Sequence, residues 1–264
     1  MEVVILCGGK GTRIRDVSEL TPKPMLPIGG RPILWHIMKH YGHHGFRRFH
    51  LCLGYKGEVI KRYFLDYNYL SCDFTIGLKD RRIDIHRQGE TEDWTVSLTD
   101  TGQESMTGWR IKLLRDRIEG DTFMTTYGDA VSTVDLTALL AFHRSHGKTA
   151  TVTGVHPHGR FGELAFEGHR VTSFREKPEN RQDYVNGGYF VFNRQVFDFL
   201  GDDPAQTLEG EPMAALVEAG ELMVFKHDGF WQAMDTQREF ALLNAMMASG
   251  QAPWLMWEQG GNGA

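Results

Sequence analysis

The chain has few cysteines, no long apolar run and no excess of basic charge, and each scarcity closes off a class of protein. Cys7, Cys52 and Cys72 are odd in number and widely spaced with no CxxC pair, so neither a disulfide framework nor a cysteine zinc site is expected. Cys7 and Cys52 sit inside apolar runs and read as small core residues. No apolar stretch approaches the roughly 20 residues that a membrane span needs. No basic, apolar and small-residue leader opens the chain either, so a cytoplasmic protein with no membrane partner is expected. The formal net charge of −5 argues against nucleic acid as a partner, while leaving room for a local basic pocket that holds phosphates.

What is present is the mixture of a globular protein: of 264 residues, 41% are hydrophobic and 24% charged, enough for a real core. The run Val3-Val4-Ile5-Leu6-Cys7 is short, β-branched and uninterrupted, the pattern of a strand buried on both faces of a parallel sheet. "ILWHIMKHYGHHG" places Ile33, Ile37 and Tyr41 on one helical face, opened by Pro32 and closed near Gly42 and Gly45. "FHLCLGY" then reads as a strand and "GEVIKRYFLDY" as a helix. After an irregular middle, "TFMTTYGDA" is a strand, "VDLTALLAFHRSHGK" a helix ended by Gly147, and "TATVTGV" a further strand. From about residue 159 the pattern changes to short alternating strands and turns, including "YVNGGYFVFN", before helices return in "PMAALVEAGE" and "TQREFALLNAMMASG". This alternation predicts an α/β fold, a Rossmann-like doubly wound mixed sheet, in a single domain over 1–257. A small antiparallel β insertion is expected within about 159–230 and a disordered tail over 258–264.

In an open α/β sheet, ligands lie beyond the carboxyl ends of the strands, and the loop leaving the first strand is a common phosphate site. Here that loop is "CGGKGTR", where glycines let backbone N–H groups approach phosphate oxygens and Arg13 and Lys23 supply positive charge. It has neither the GK[ST] ending of the P-loop nor the GxGxxG spacing of dinucleotide folds, and a plain glycine-rich turn explains it equally well. Asp129 and Asp235 each follow a strand-like run, and two carboxylates delivered to one edge could hold a Mg²⁺ that bridges nucleotide phosphates. Each also has a local explanation, Asp129 as a turn residue and Asp235 as the N-cap of the last helix. Glu176, Lys177 and Asn186 could meet sugar hydroxyls and a sugar phosphate, or could be solvated strand ends. His43-His44 and His156-Pro157-His158 have no ligand set at metal spacing and read as loop or surface residues.

The order of these stretches resembles the sugar-1-phosphate nucleotidylyltransferase family, whose pattern is a GGxGTR loop followed by a PKP lysine. Within it, "PILWHIMKHY", "GYKGEVIKRYF", "DTGQESMTGWR", "YGDA", "FREKPE", "VNGGYFVFN" and "GFWQAMDT" resemble, in order over residues 1 to 257, the glucose-1-phosphate cytidylyltransferase subfamily. The resemblance implies a nucleotide-binding set of Leu6, Cys7, Gly8, Gly9, Lys10, Gly11, Thr12, Arg13 and Lys23, with Ser105, Thr107, Gly108 and Arg110 at the base. It implies Mg²⁺ on Asp129 and Asp235, and a sugar phosphate pocket of Tyr127, Gly162, Glu176, Lys177, Asn186 and Gly187. Arg13, Lys23, Asp129 and Asp235 would be catalytic, and CTP and glucose 1-phosphate the substrates. Another nucleotide or sugar 1-phosphate, or a non-catalytic nucleotide-sugar sensor, are the alternatives. A homo-oligomer is implied, a hexamer among the forms, with contact surfaces around "YFVFN" and "PWLMW". Two positions depart from the subfamily: Ala130 and Trp109 stand where glycine is usual, the latter expected beside the base.

Overall fold

The computed structural model describes residues 1–11, 14, 21–87, 91–157, 163–167, 170–175 and 184–259, the side chains of 163–167, 171–175 and 259 excepted. Strand β1 (Glu2–Leu6) is buried at every position because alternate side chains face two cores, Val3 and Ile5 on one side and Val4 and Leu6 on the other. A short pair, β2 (Pro27–Ile28) and β3 (Arg31–Pro32), leads into α1 (Ile33–His43), whose Ile33, Ile37 and Tyr41 are all buried. Next come β4 (Arg48–Leu53), α2 (Gly57–Leu65), α3 (Tyr67–Leu70), the hairpin of β5 (Asp73–Ile76) and β6 (Ile83–Arg87), β7 (Thr95–Asp100) and α4 (Thr107–Lys112). The second half carries β8 (Thr122–Tyr127), β9 (Ala130–Ser132), α5 (Leu136–His146), β10 (Ala150–Val155), β11 (Glu163–Glu167) and β12 (Arg170–Arg175). It closes with β13 (Val185–Asn193), α6 (Glu211–Glu218), β14 (Leu222–His227), β15 (Trp231–Ala233), α7 (Gln237–Ala248) and α8 (Met256–Gln259).

The central sheet has seven strands in the order β14-β10-β13-β8-β1-β4-β7. Strands β8, β1, β4 and β7 are parallel, β14 is parallel to β10, and β13 runs antiparallel between β10 and β8, so the doubly wound mixed sheet is as expected. The helix read as ending at Gly147 does so: Asp135 caps its start by accepting from the Ala138 N–H at 2.9 Å, and Gly147 takes the left-handed conformation at φ 67°.

Three expectations need correction. Among the described residues of 159–230, the antiparallel element outside the central sheet is the β11–β12 hairpin, whereas β13 and β14 belong to the central sheet. Tyr189, Phe190, Val191 and Phe192 are buried there because a continuous apolar run fills both faces, so "YFVFN" forms core and not a contact surface. In "PWLMW", Trp254 is likewise buried, stacked against Phe230, with Leu255 and Trp257 packed on the same core. Residues 258–259 end α8, and the rest of the expected tail, 260–264, lies outside the described residues.

Candidate active site

The carboxyl end of β1 opens a cavity of about 420 Å³, a size suited to a small-molecule ligand. Its floor is held by the neighbouring strands. The Cys7 N–H donates to the Cys52 carbonyl at 3.0 Å, the Gly128 N–H to the Leu6 carbonyl at 3.1 Å, and the Tyr55 N–H to the Gly8 carbonyl at 3.2 Å. Under the loop lies the buried guanidinium of Arg110, which donates to the Leu53 carbonyl, the Thr101 hydroxyl and the Gly8 carbonyl at 2.9, 2.6 and 3.2 Å. A Cβ on Gly8 would lie 2.1 Å from that guanidinium, so glycine at this position is what lets the cation approach the loop. Burial pushes the Arg110 pKa down and the Cys7 thiol up, so the guanidinium sits on few counter-charges and Cys7 stays a neutral thiol.

The two aspartates arrive from different parts of the chain. Strands β9 and β15 pair antiparallel with Ala130 opposite Ala233, and the Met234 N–H donates to the Asp129 carbonyl at 2.9 Å, which sets Asp129 and Asp235 side by side. Asp235 is not the cap of α7: Thr236 is, in a reciprocal capping box with Glu239, leaving the Asp235 carboxylate to face the cavity. Both carboxylates converge on the Lys23 ammonium, Asp129 at 2.5 Å and Asp235 at 2.7 Å. Burial alone would lower the Lys23 pKa, but the two carboxylates overcome it and hold the ammonium charged, above its ordinary value. Lys23 opens a 3₁₀ turn after Pro22, and Pro24 and Met25 are buried beneath it, so the proline pair fixes the backbone from which the lysine reaches.

That ammonium also tests the fit of a divalent ion. It occupies the point that two carboxylates share, and two carboxylates completed by phosphate oxygens and water make the donor set that Mg²⁺ takes. No group of three or more metal-ligating side chains occurs among the described residues.

The cavity is lined by residues 6–11, Lys23, Ser105, Thr107, Arg110, Tyr127, Asp129 and Asp235, which gathers most of the expected nucleotide set. Arg110 meets it through a guanidinium already bonded to the loop. Gly108 is buried against Gln206 and does not line the cavity, nor does Trp109; Ala130 has no positive φ, so its methyl group is accommodated. Tyr127 lines the cavity, and Asn186 reaches it from behind, donating to its hydroxyl at 3.3 Å, while Gly187 accepts from the Trp231 indole at 2.8 Å. Thr12, Arg13, Gly162, Glu176 and Lys177 lie outside the described residues.

Sequence reasoning missed Gln103, Glu104 and Met106 in the lining, and Glu209 behind it. Glu104 pairs with Lys10 of the glycine loop at 2.7 Å across the cavity. Its only sequence signal was its place in "DTGQESMTGWR".

Residues 2–250 match the family profile described as nucleotidyl transferase. The chain belongs to that family. It is 47% identical over 259 residues to a glucose-1-phosphate cytidylyltransferase of Salmonella typhi, covering 98% of this chain and all of that one. It is 42% identical over 261 residues to a probable glucose-1-phosphate cytidylyltransferase of Bacillus subtilis, covering 97% of this chain and all of the relative. In fold it is similar to the crystal structure of HddC from Yersinia pseudotuberculosis, with a TM-score of 0.69 and 21% identity over 92% of this chain and 98% of that one. No helix among the described residues is long and apolar enough to cross a membrane.

Proposed function

We propose that this nucleotidyltransferase transfers a cytidylyl group from CTP to glucose 1-phosphate, forming CDP-glucose and pyrophosphate. The observation that carries the reading is the convergence of Lys23, Asp129 and Asp235 at one edge of a cavity floored by the glycine loop. The choice of base and sugar follows the relatives that match over the whole chain.

A sugar-phosphate oxygen is already a competent nucleophile, so the reaction needs neither a covalent enzyme intermediate nor a general base. The phosphate oxygen attacks the α-phosphorus in line, one P–O bond forms, and the bond to pyrophosphate breaks with its electron pair leaving on pyrophosphate. The chain's task is positioning and charge. The loop's backbone N–H groups and Lys10 would hold the β- and γ-phosphates, and Lys23, freed from the carboxylates, would meet the charge that develops around the α-phosphate. Asp129 and Asp235 would hold Mg²⁺, which when bound supplies Lewis-acid polarisation and charge neutralisation at the phosphates. By family resemblance Arg13 would share the triphosphate and Lys177 would steer the incoming sugar phosphate. The buried Arg110 would place its charge beneath the base side of the nucleotide.

The test is pyrophosphate release with each of four nucleoside triphosphates and a panel of sugar 1-phosphates. Release with CTP and glucose 1-phosphate at a rate well above every other pair is expected; equal rates with UTP or dTTP would overturn the base assignment, and nucleotide binding without release would make the chain a sensor.

A further inference from the structure

Behind the sugar side of the cavity runs a chain of hydrogen bonds whose directions are all determined. The Gly188 N–H donates to Asn186 Oδ1 at 2.8 Å, which fixes the amide and turns its Nδ2 toward the Tyr127 hydroxyl as a donor. Tyr127 accepts that bond and gives its own proton to Glu209 Oε1. On the other side, the Leu208 N–H donates to Thr107 Oγ1 at 2.8 Å, so the Thr107 hydroxyl gives its proton to Glu209 Oε2 at 2.7 Å. A carboxylate only accepts, and Glu209 thereby accepts a hydrogen bond from the hydroxyl of each of Thr107 and Tyr127, two residues of the cavity lining.

Glu209 is itself held in place. The segment carrying it is tied to the start of α4 by the Met106 N–H to the Pro204 carbonyl at 2.9 Å and the Gly108 N–H to the Gln206 carbonyl at 3.1 Å. The Tyr127 ring is fixed edge-on against Phe190, with centroids 5.9 Å apart.

We infer that Glu209 is a positioning residue that commits the Tyr127 hydroxyl to an acceptor role, so that this wall selects a donating sugar hydroxyl of the acceptor substrate. A phosphate monoester oxygen near neutral pH is an acceptor and finds no proton on either hydroxyl; a sugar hydroxyl does the donating, and the wall therefore orients the sugar phosphate hydroxyl-inward and phosphate-outward. Without Glu209 the phenol proton is released to turn toward the cavity, and Tyr127 accepts or donates as the ligand requires.

The inference rests on the sugar phosphate reading above, and its test separates the two. The probes are glucose 1-phosphate and its 2-, 3-, 4- and 6-deoxyfluoro analogues, since fluorine cannot donate, and the readout is kcat/KM for each. In the unaltered protein one analogue should fall by about tenfold or more relative to glucose 1-phosphate, the scale of one lost hydrogen bond that leaves its partner unpaired. In Glu209→Ala that ratio should shrink toward one, in Tyr127→Phe likewise, and in the double variant no further. A purely structural or electrostatic role changes all five substrates by the same factor, and that outcome, or full retention of the discrimination in Tyr127→Phe, overturns the inference alone. No turnover of glucose 1-phosphate by the unaltered protein would sink the functional reading and this inference with it.

Discussion

Two lysine-carboxylate contacts bound the same cavity, and they differ in almost everything but chemistry. At the base, Lys23 reaches two aspartates and keeps only 11% of its side chain exposed. At the mouth, Lys10 and Glu104 meet at 2.7 Å with 47% and 76% of their side chains in water. Water screens the second pair, and holding two long side chains together costs entropy that its attraction barely offsets. The first is screened far less, and removing one partner leaves charge facing charge in a partly buried place. The lesson is that an ion pair's geometry says little until its depth is known. The deep pair holds charge where bonds are exchanged, whereas the shallow one can open for a ligand at little cost.

The largest effect should come from breaking the deep contact. Lys23→Ala is expected to lower turnover by about 10²–10³-fold, the range typical for removing one preorganised electrostatic contact to the reacting group. It should also destabilise the free protein by about 1–3 kcal/mol, less than a fully buried pair because both aspartates are partly exposed. Steady-state kinetics and urea melts at pH 7 read the two quantities, and near-normal turnover in Lys23→Ala would break the comparison at its base.

Depth without a charged partner gives the middle case. His40 is 2% exposed, its Nε2–H donates to the Val134 carbonyl at 2.8 Å, and its Nδ1 has no hydrogen-bond partner among the described residues. Burial, with His44 and His43 nearby, pushes its pKa down from 6.5 to about 3, so the folded chain holds it neutral while the unfolded chain takes up a proton near pH 6.5. Its share of stability is therefore complete above pH 6.5 and declines as pH falls toward 3, by about 2 kcal/mol at pH 5. Denaturant melts from pH 7.5 to 4.5 should show that decline, and His40→Gln should flatten part of it. An unchanged slope in the variant would move the titration to another group.

The smallest effect belongs to the mouth. Lys10→Met or Glu104→Gln should change stability by about 0.5 kcal/mol or less, with the difference vanishing in 1 M salt. Thermal melts at low and high salt check it; a loss as large as that of Lys23→Ala would mean that depth does not govern these contacts.

How much of this was legible beforehand depends on the range of the interaction. Local signals were read correctly: the both-face burial of β1, the α1 stripe of Ile33, Ile37 and Tyr41, and the Gly147 stop. Strand β7 hid in an irregular middle because an edge strand is half exposed and carries no strong apolar run. Strand β13 reads as part of an insertion because turn-rich sequence precedes it, although its apolar run has the composition of a core strand. Asp235 looked like a helix cap until Thr236 and Glu239 proved to close that helix themselves. Glu209 stands in a loop with no motif, and only its contacts with Thr107 and Tyr127, about a hundred residues away in sequence, bring it to the site.

The α/β alternation, the glycine loop after β1 and the residue types for phosphate chemistry are legible in the chain's order of residues, because these rest on periodicity and on what each side chain can do within a few positions. The tertiary structure decided which of those residues share a place. The pairing of two three-residue strands joins Asp129 to Asp235, and Lys23 meets Asp235 across 212 residues of chain. The Thr107 hydroxyl on the Tyr127 wall is directed by the Leu208 N–H, which only the folded chain brings near. Long-range contacts of this kind leave no local trace, since the groups that make them are neighbours only after the sheet has formed.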